Sequence, residues 1–144
     1  MIHQQTTDCL GCRLANGKEF VHIVYETDLI CCFLDADPFH EGHTLILPKK
    51  HVVELEELDL PTTAAVMEAA KLLASAIKHF YRADGVSLAQ NGGACNDLTH
   101  FHLHVIPRFL GDGFSWGDSL LNHEAETRLQ VTMRKMSDYL KGLA

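Results

Sequence analysis

The sequence is poor in positive charge, and it lacks long apolar runs and internal repeats. Its 12 lysines and arginines stand against 19 aspartates and glutamates, so the formal net charge is −7 at pH 7. This deficit argues against bulk binding to nucleic acid or anionic lipid, so any anionic ligand must be held by local donors. No apolar run approaches the roughly 18 residues of a membrane span. Met1–Asp8 lacks the basic and apolar segments of a signal peptide. We therefore expect a cytoplasmic protein with neither membrane nor nucleic acid as partner.

The length and the cysteine count narrow the class of protein further. A chain of 144 residues with 47% hydrophobic and 22% charged residues is typical of one globular domain, here 1–144. Five cysteines, an odd number, do not form a complete set of disulfides. In a cytoplasmic chain they are better interpreted as thiols or metal ligands.

Runs of β-branched and aromatic residues alternate with two segments of helical periodicity. The predicted strands are Phe20–Glu26, Leu29–Leu34, His43–Leu47, Val86–Gln90 and His100–Ile106. A long helix begins near Pro61 and ends before Asp84, and a last helix runs near His123–Lys141. The apolar stripe expected on the long helix is Val66, Ala69, Leu73, Ala76, Ile77 and Phe80. This order predicts an α+β domain with a mainly antiparallel five-stranded sheet, one long helix and a C-terminal helix.

Three histidines recur at a strict two-residue spacing in the last predicted strand. Because side chains alternate faces along a strand, His100, His102 and His104 are expected on one face and the intervening Phe101 and Leu103 in the core. Neighbouring histidines would stand about 6.6 Å apart. Imidazoles in a row serve no packing purpose, whereas each carries a nucleophilic or metal-binding nitrogen that titrates near neutrality. The pattern therefore indicates a site of nucleophilic or metal chemistry.

A second chemical motif is the Cys-Leu-Gly-Cys segment at Cys9–Cys12. Its spacing suits two thiolates on one metal ion or a redox pair. A redox pair usually follows a strand, and no strand is predicted before it, so metal binding is favoured. Two further ligands must then come from elsewhere, and His51 and one of the three histidines are the candidates.

Two loops could bind a small molecule. Asp35 lies just past a strand that ends Phe33-Leu34, where a carboxylate could accept hydrogen bonds from a ribose beside an apolar wall, or could merely cap its own backbone. The segment Asn91–Thr99 contains two glycines and two asparagines, which suit a phosphate-binding loop but equally an ordinary turn.

His100-Phe-His-Leu-His-Val-Ile resembles the signature of the histidine triad (HIT) superfamily of nucleotide hydrolases and transferases. The similarity extends from Phe33 through Gly42–His51 and the long helix to Pro107-Arg108, nearly the whole chain. The cysteine pair is similar to that of zinc-containing bacterial members near the nucleoside phosphoramidase branch. The domain would then comprise a zinc-binding segment at 1–18 and a C-terminal tail and helix at 109–144.

The resemblance assigns a role to each matched residue. The catalytic set is His100, His102 and His104. His102 would attack the α-phosphorus to form a nucleotidyl-histidine that water hydrolyses, and His104 would hydrogen-bond the leaving atom. The nucleotide-binding set is Phe33 at the base, Asp35 at the ribose, and Asn91, Asn96 and Thr99 in the phosphate loop. A structural zinc ion would be held by Cys9, Cys12, His51 and His100.

The phosphate loop departs from the family pattern. It is shorter by about two residues, and Asn96 stands near the usual glutamine while Asp97 places a carboxylate where phosphates should sit. The resemblance implies an enzyme, a histidine triad hydrolase of purine nucleoside phosphoramidates or related nucleotide esters that acts as a homodimer. It also suggests that Gly111–Trp116 shapes a neighbouring site from a dimer partner. Three alternatives stay open: a dinucleoside polyphosphate hydrolase, a non-catalytic nucleotide-binding domain, and a metallohydrolase whose triad binds a catalytic metal.

Overall fold

A computed structural model describes residues 8–115, 117 and 119–143. It divides into two compact units, which meet after Asp112 and are treated separately. The first unit contains the sheet, and the second contains the C-terminal helix. Trp116, the last residue of the tail predicted to shape a neighbouring site, lies outside the described residues.

The sheet has five strands, and every hydrogen-bonded pair is antiparallel, which confirms the predicted fold class. The strands are β1 (Ile23–Glu26), β2 (Ile30–Leu34), β3 (Thr44–Pro48), β4 (Gly85–Ala89) and β5 (Leu103–Arg108). Their spatial order is β1-β2-β3-β5-β4, so β5 lies beside both β3 and β4. The prediction began β1 three residues too early, because the apolar Phe20-Val21 pair lies at the rim of a cavity instead.

Strand β2 is buried on both faces. Ile30 and Cys32 belong to the main core, whereas Cys31 and Phe33 belong to a smaller cluster on the other face. Burial raises the pKa of Cys31 and raises that of Cys32 to about 12, so both stay protonated thiols. The period-two alternation of a strand thus places Phe33 on the face opposite the long helix.

The long helix α2 (Leu60–Tyr81) covers one face of the sheet. Asp59 caps it by accepting from the amide of Thr62, and Arg82 ends it in a left-handed conformation. Its core residues are Val66, Ala69, Ala70, Leu73 and Ile77. Phe80, predicted to complete this stripe, is 75% exposed, because it lies in the last turn of the helix, three residues beyond Ile77. The helix is long and apolar enough to span a membrane, but these contacts make it a core helix.

The triad spans the segment before β5 and the start of that strand. The predicted strand began at His100, but β5 begins at Leu103, so two of the three histidines precede it. The segment is nevertheless extended, and the amide of Phe101 donates to the carbonyl of Val52. Phe101, Leu103 and Val105 lie in the main core, as the alternation predicts.

Two shorter elements complete the described chain. Helix α1 (Leu10–Ala15) contacts β2 and β3 and covers part of the second face of the sheet. In the second unit, α3 (Leu129–Leu143) follows a 3-10 turn at Ala125–Arg128. The prediction began this helix near His123, but His123 and Glu124 have positive φ angles of 51° and 57°, which break an α-helix.

Candidate active site

A cavity of about 440 Å³ opens on the face of the sheet opposite α2, within the range of small-molecule sites, about 300–1,000 Å³. Its apolar wall is formed by Leu14, Val21, Phe33, Leu45 and Leu98. Its polar lining includes Asp35, Asp97, His102 and His104. A wall of this kind suits the flat face of a base, and the polar groups gather where a sugar and a phosphate would follow.

A hydrogen bond to the backbone fixes which ring nitrogen of His102 carries the hydrogen. Its Nδ1 lies 2.9 Å from the carbonyl oxygen of His100, and since a carbonyl can only accept, Nδ1 carries the hydrogen. In the neutral ring Nε2 then holds the lone pair. The side chain is 3% exposed and reaches the cavity. Asp97 places Oδ1 3.4 Å from this Nε2. The lone pair of the neutral His102 ring is therefore on Nε2, the nitrogen that faces Asp97.

His104 has the opposite tautomer, and His43 sets it. The amide of Phe39 donates to Nδ1 of His43 at 3.0 Å, so the neutral His43 ring carries its hydrogen on Nε2. That Nε2 lies 2.9 Å from Nδ1 of His104, which accepts, leaving the His104 hydrogen on Nε2. The rings of His102 and His104 are 5.0 Å apart. A ring whose Nε2 has a lone pair thus lies beside a ring whose Nε2 carries a hydrogen.

The two carboxylate oxygens of Asp35 face different partners. Its Oδ1 accepts from the amide of Asp37 at 2.9 Å, the local cap expected of a loop aspartate. Its Oδ2 lies 3.4 Å from Nε2 of His43 and 3.7 Å from Nδ1 of His104, inside the cavity. The carboxylate therefore caps its own loop and also faces the cavity, and its binding of a ribose stays a prediction.

Burial controls the charge of the donor pair. Burial lowers the pKa of His43, and the facing Asp35 opposes this only in part. Burial likewise lowers the pKa of His104, and the neighbouring rings of His102 and His43 add to the effect. Both rings are therefore neutral at pH 7, as the tautomers above require.

A second cluster lies beside the cavity, at the N-terminus of α1. The Sγ atoms of Cys9 and Cys12 lie 3.4 Å and 3.6 Å from Nδ1 of His100, and Sγ of Cys12 lies 3.3 Å from Nδ1 of His51. All four ligand atoms lie within 4.8 Å of one another. In tetrahedral zinc sites the sulfur and nitrogen ligands are separated by about 3.6 Å, so the donor set fits zinc.

The protonation of His100 also suits a metal ligand. Its Nε2 lies 2.8 Å from the carbonyl of Pro48 and must donate, so Nδ1 has the lone pair that faces the thiols. Burial lowers the pKa of His100 to about 4, which keeps the ring neutral. The structure thus brings together the four residues that the resemblance named as ligands.

A third set of potential ligand atoms belongs to Asp35, His43 and His104. The hydrogen on Nε2 of His43 points into this set, because its Nδ1 accepts from the backbone. A neutral histidine in that state cannot ligate a metal through Nε2. Among residues 8–115, 117 and 119–143, neither metal-like group includes His102. The two groups divide the triad, with His100 in one and His104 in the other, and the metallohydrolase alternative stays a hypothesis.

The other predicted loop residues lie around the cavity rather than in its described lining. Asn96 stabilises its own loop, since its Oδ1 accepts from the amides of Leu98 and Thr99. Thr99 has a positive φ of 53° and donates its hydroxyl to the carbonyl of Leu98. Asn91 accepts from the Gln90 side chain through its carbonyl. Their binding of phosphate stays a prediction.

Sequence reasoning gave no role to several residues that the structure places at the site. His43 lies in the Gly42–His51 segment that resembles the family, but a single histidine beside a strand has no periodic signal. Phe20 and His22 lie at the cavity rim with their rings 4.9 Å apart. Only the sheet order, which brings β3 beside β5, could have identified His43.

Comparisons with known proteins agree with this geometry. The HIT domain model matches residues 17–111, and the chain therefore belongs to the HIT family. An uncharacterized HIT-like protein of Borreliella burgdorferi is 35% identical over 132 residues, covering 88% of this chain and 95% of the relative. The adenylylsulfatase HINT3 of Arabidopsis thaliana is 35% identical over 118 residues, covering 81% of this chain and 60% of that protein.

One solved structure that is similar to this chain contains zinc. The zinc-bound histidine triad family protein of Mycobacterium smegmatis is 30% identical, with a TM-score of 0.70 over 92% of this chain and 97% of that one. Members of the HIT family bind nucleotides and are in general nucleotide hydrolases or transferases.

Proposed function

We propose that this protein hydrolyses purine nucleotides at the α-phosphate, with nucleoside phosphoramidates and small-leaving-group esters as substrates and a nucleotidyl-His102 intermediate. The observation that carries the proposal is the pair of opposite tautomers. Nε2 of His102 offers a lone pair to the cavity, while Nε2 of the adjacent His104 offers a hydrogen. A displacement at phosphorus requires a lone pair that attacks the phosphorus and a hydrogen that protonates the leaving group.

The first half-reaction forms a phosphorus–nitrogen bond to His102 and breaks the bond from phosphorus to the leaving group. Nε2 of His102 attacks, and its Nδ1 hydrogen stays bonded to the carbonyl of His100, which stabilises the positive charge on the ring. His104 donates its Nε2 hydrogen to the departing atom. His43 keeps its own hydrogen and donates it as a hydrogen bond to Nδ1 of His104, which holds the transferable hydrogen of His104 on Nε2.

The second half-reaction breaks the phosphorus–nitrogen bond. Water attacks from the side that the leaving group has vacated, and His104, now lacking its Nε2 hydrogen, accepts the proton of that water. The nucleoside monophosphate is released and His102 regains its lone pair. Little bond-making is asked of other groups, so positioning supplies most of the rate.

The cavity lining supports a nucleotide with a small leaving group. Phe33 and Leu45 form a wall for the base, and Asp35 presents a carboxylate for ribose hydroxyls. Asp97 lies beside Nε2 of His102, where added phosphate charges would be repelled. Arg108 pairs with Asp112 through two nitrogens. The name of the Arabidopsis relative, an adenylylsulfatase, also describes a nucleotide with a small leaving group.

We assign a structural zinc ion to Cys9, Cys12, His51 and His100. The donor set and the zinc-bound Mycobacterium structure support this assignment. When bound, zinc would tie the start of α1 to the segment after β3 and to the triad, which contributes to folding energy.

We also propose a cytoplasmic homodimer. Strand β4 lies at the edge of the described sheet, and Met67 of α2 and Leu88 of β4 line a shallow apolar hollow beside it. A second copy could pair along this edge and cover the hollow. Sedimentation should give twice the chain mass, and Leu88→Glu should give the monomer.

The proposal is tested by product analysis. The purified protein is incubated with adenosine 5′-phosphoramidate, adenylylsulfate and diadenosine triphosphate, and the release of AMP is followed for each. We expect AMP from the first two and the highest kcat/KM for the phosphoramidate. If none is cleaved while AMP still binds the cavity, the protein is a nucleotide-binding domain and the proposal is wrong.

A further inference from the structure

His100 makes a contact that neither the metal cluster nor the triad explains. Gly11, between the two cysteines, lies so close to it that a Cβ atom at Gly11 would overlap Cβ and Cγ of His100 and lie 3.0 Å from its Cδ2. These are the atoms nearest the His100 backbone, so rotating the side chain does not relieve the overlap. On another side the ring is held by the carbonyl of Pro48. Any displacement must therefore move the His100 backbone or α1.

The backbone of His100 is also what orients His102. Its carbonyl oxygen accepts the Nδ1 hydrogen of His102 at 2.9 Å, which keeps the lone pair on Nε2. His100 is completely buried, so no water can replace this acceptor. A shift of the carbonyl would weaken this bond and let the other tautomer form.

The C-terminal end of α1 is held by the side chain of Asn16. Asn16 donates both hydrogens of its Nδ2, to the carbonyl of Cys12 at 2.8 Å and to that of Lys49 at 2.7 Å. The first bond holds the last turn of the helix, and the second joins it to the segment that follows β3. Asn16 therefore keeps Gly11 pressed against His100.

We propose that Gly11 and Asn16 are positioning residues for His102, acting through the backbone of His100. Gly11 permits the close seat of α1, and Asn16 maintains it. The N-terminal helix then serves the chemistry as well as the metal. The kinetic part of this inference rests on the proposed function, whereas its structural part, the tautomer of His102, does not.

The test compares Gly11→Ala with Gly85→Ala in the zinc-loaded protein. At Gly85 a Cβ meets nothing within 4 Å, so the same substitution is a matched control. Helix propensity alone would make alanine at position 11 favourable. We expect Gly11→Ala to lower kcat about 30- to 100-fold, the scale of an ångström-sized misplacement, with the affinity for AMP changed less than about threefold. Gly85→Ala should match the wild type.

The decisive readout is the tautomer of His102, observed by nitrogen-15 NMR at about pH 8, where imidazoles are ordinarily neutral. Wild type should show one tautomer, with hydrogen on Nδ1, and Gly11→Ala a mixture. Asn16→Ala should show the same change to a smaller degree, and it decides the matter if Gly11→Ala does not fold. Folded, zinc-loaded variants with an unchanged tautomer would overturn the inference, whatever their kcat. If the wild type cleaves no substrate, the proposed function fails, and the tautomer comparison still decides this inference.

Discussion

Nε2 of His43 donates its hydrogen to Nδ1 of His104 at 2.9 Å, across the boundary between β3 and β5. The direction is set by the Phe39 amide, which occupies the other nitrogen of His43. A residue outside the triad thus determines which nitrogen of the neutral His104 ring carries the hydrogen.

His43→Gln is expected to lower kcat by about 10²-fold, because general acid–base contributions are typically of this size. The affinity for AMP should change little, since His43 is not part of the described cavity lining. Steady-state kinetics and calorimetric AMP binding measure the two effects. His79→Gln, on the exposed end of α2, is the matched control and should be silent. A His43→Gln enzyme with wild-type kcat would show that the pair has no role in proton transfer.

His102→Ala should lower turnover by several orders of magnitude, as expected for the loss of a covalent nucleophile. Nucleotide binding should stay within about tenfold, because the wall of Phe33 and the carboxylate of Asp35 are untouched. Rapid quenching of the wild type with radiolabelled substrate should trap an acid-labile adduct on His102. Near-native activity of the variant, or a label on another histidine, would contradict the mechanism.

The alternation of the triad segment was enough to predict the core side of the site. Phe101, Leu103 and Val105 are buried as expected, since a one-residue shift would have exposed all three. The alternation did not predict that His100 serves a separate cluster from His102 and His104. That division depends on α1 and on the segment after β3, which approach only in three dimensions.

The second unit shows where local patterns fail. Four apolar residues recur at helical spacing in α3, but all are more than half exposed: Leu129, Met133, Met136 and Leu140. Amphipathic periodicity predicts the helix and its face, yet it does not state what covers the face. The position of the Asp97 side chain could not be predicted from local patterns either. No periodicity shows that its carboxylate faces His102.

The metal cluster predicts a loss of both zinc and stability in Cys9→Ser. The purified wild type should contain about one zinc ion per chain, and the variant should lose it and melt at a lower temperature, because metal-binding energy is partly folding energy. The matched control is Cys95→Ser, which changes an exposed thiol in the predicted phosphate loop. This variant should keep both the zinc ion and the melting temperature of the wild type. Metal analysis and calorimetry give the answer. A stable, metal-free wild type with a Cys9–Cys12 disulfide would favour the redox interpretation.

Acid should destabilise the protein through His43 and His104, whose pKa values are lowered by burial. In the unfolded chain a histidine titrates near about 6.5. Between the lowered folded pKa and this value the unfolded state binds more protons, so the free energy of unfolding falls as pH decreases from about 7 toward 5.

Urea unfolding at several pH values measures this slope. His43→Gln removes one contributor and should show a shallower dependence than the wild type, whereas His79→Gln should not. If the free energy of unfolding has the same pH dependence in His43→Gln as in the wild type, His43 does not contribute to the acid destabilisation.

The substrate preference depends on Asp97, whose Oδ1 lies 3.4 Å from Nε2 of His102. An amine leaving group needs one proton, which His104 can supply, whereas a nucleotide leaving group brings further phosphate charges beside this carboxylate. The Asp97 side chain is 87% exposed, so the repulsion is at the screened end of its range, about 1 kcal/mol per added charge.

We expect a higher kcat/KM for adenosine 5′-phosphoramidate than for diadenosine triphosphate. Asp97→Asn should narrow that ratio about fivefold by improving the triphosphate. Asp28→Asn, in the exposed turn before β2, should leave the ratio unchanged. A wild-type kcat/KM for the triphosphate equal to that for the phosphoramidate would overturn the preference while leaving the triad chemistry intact.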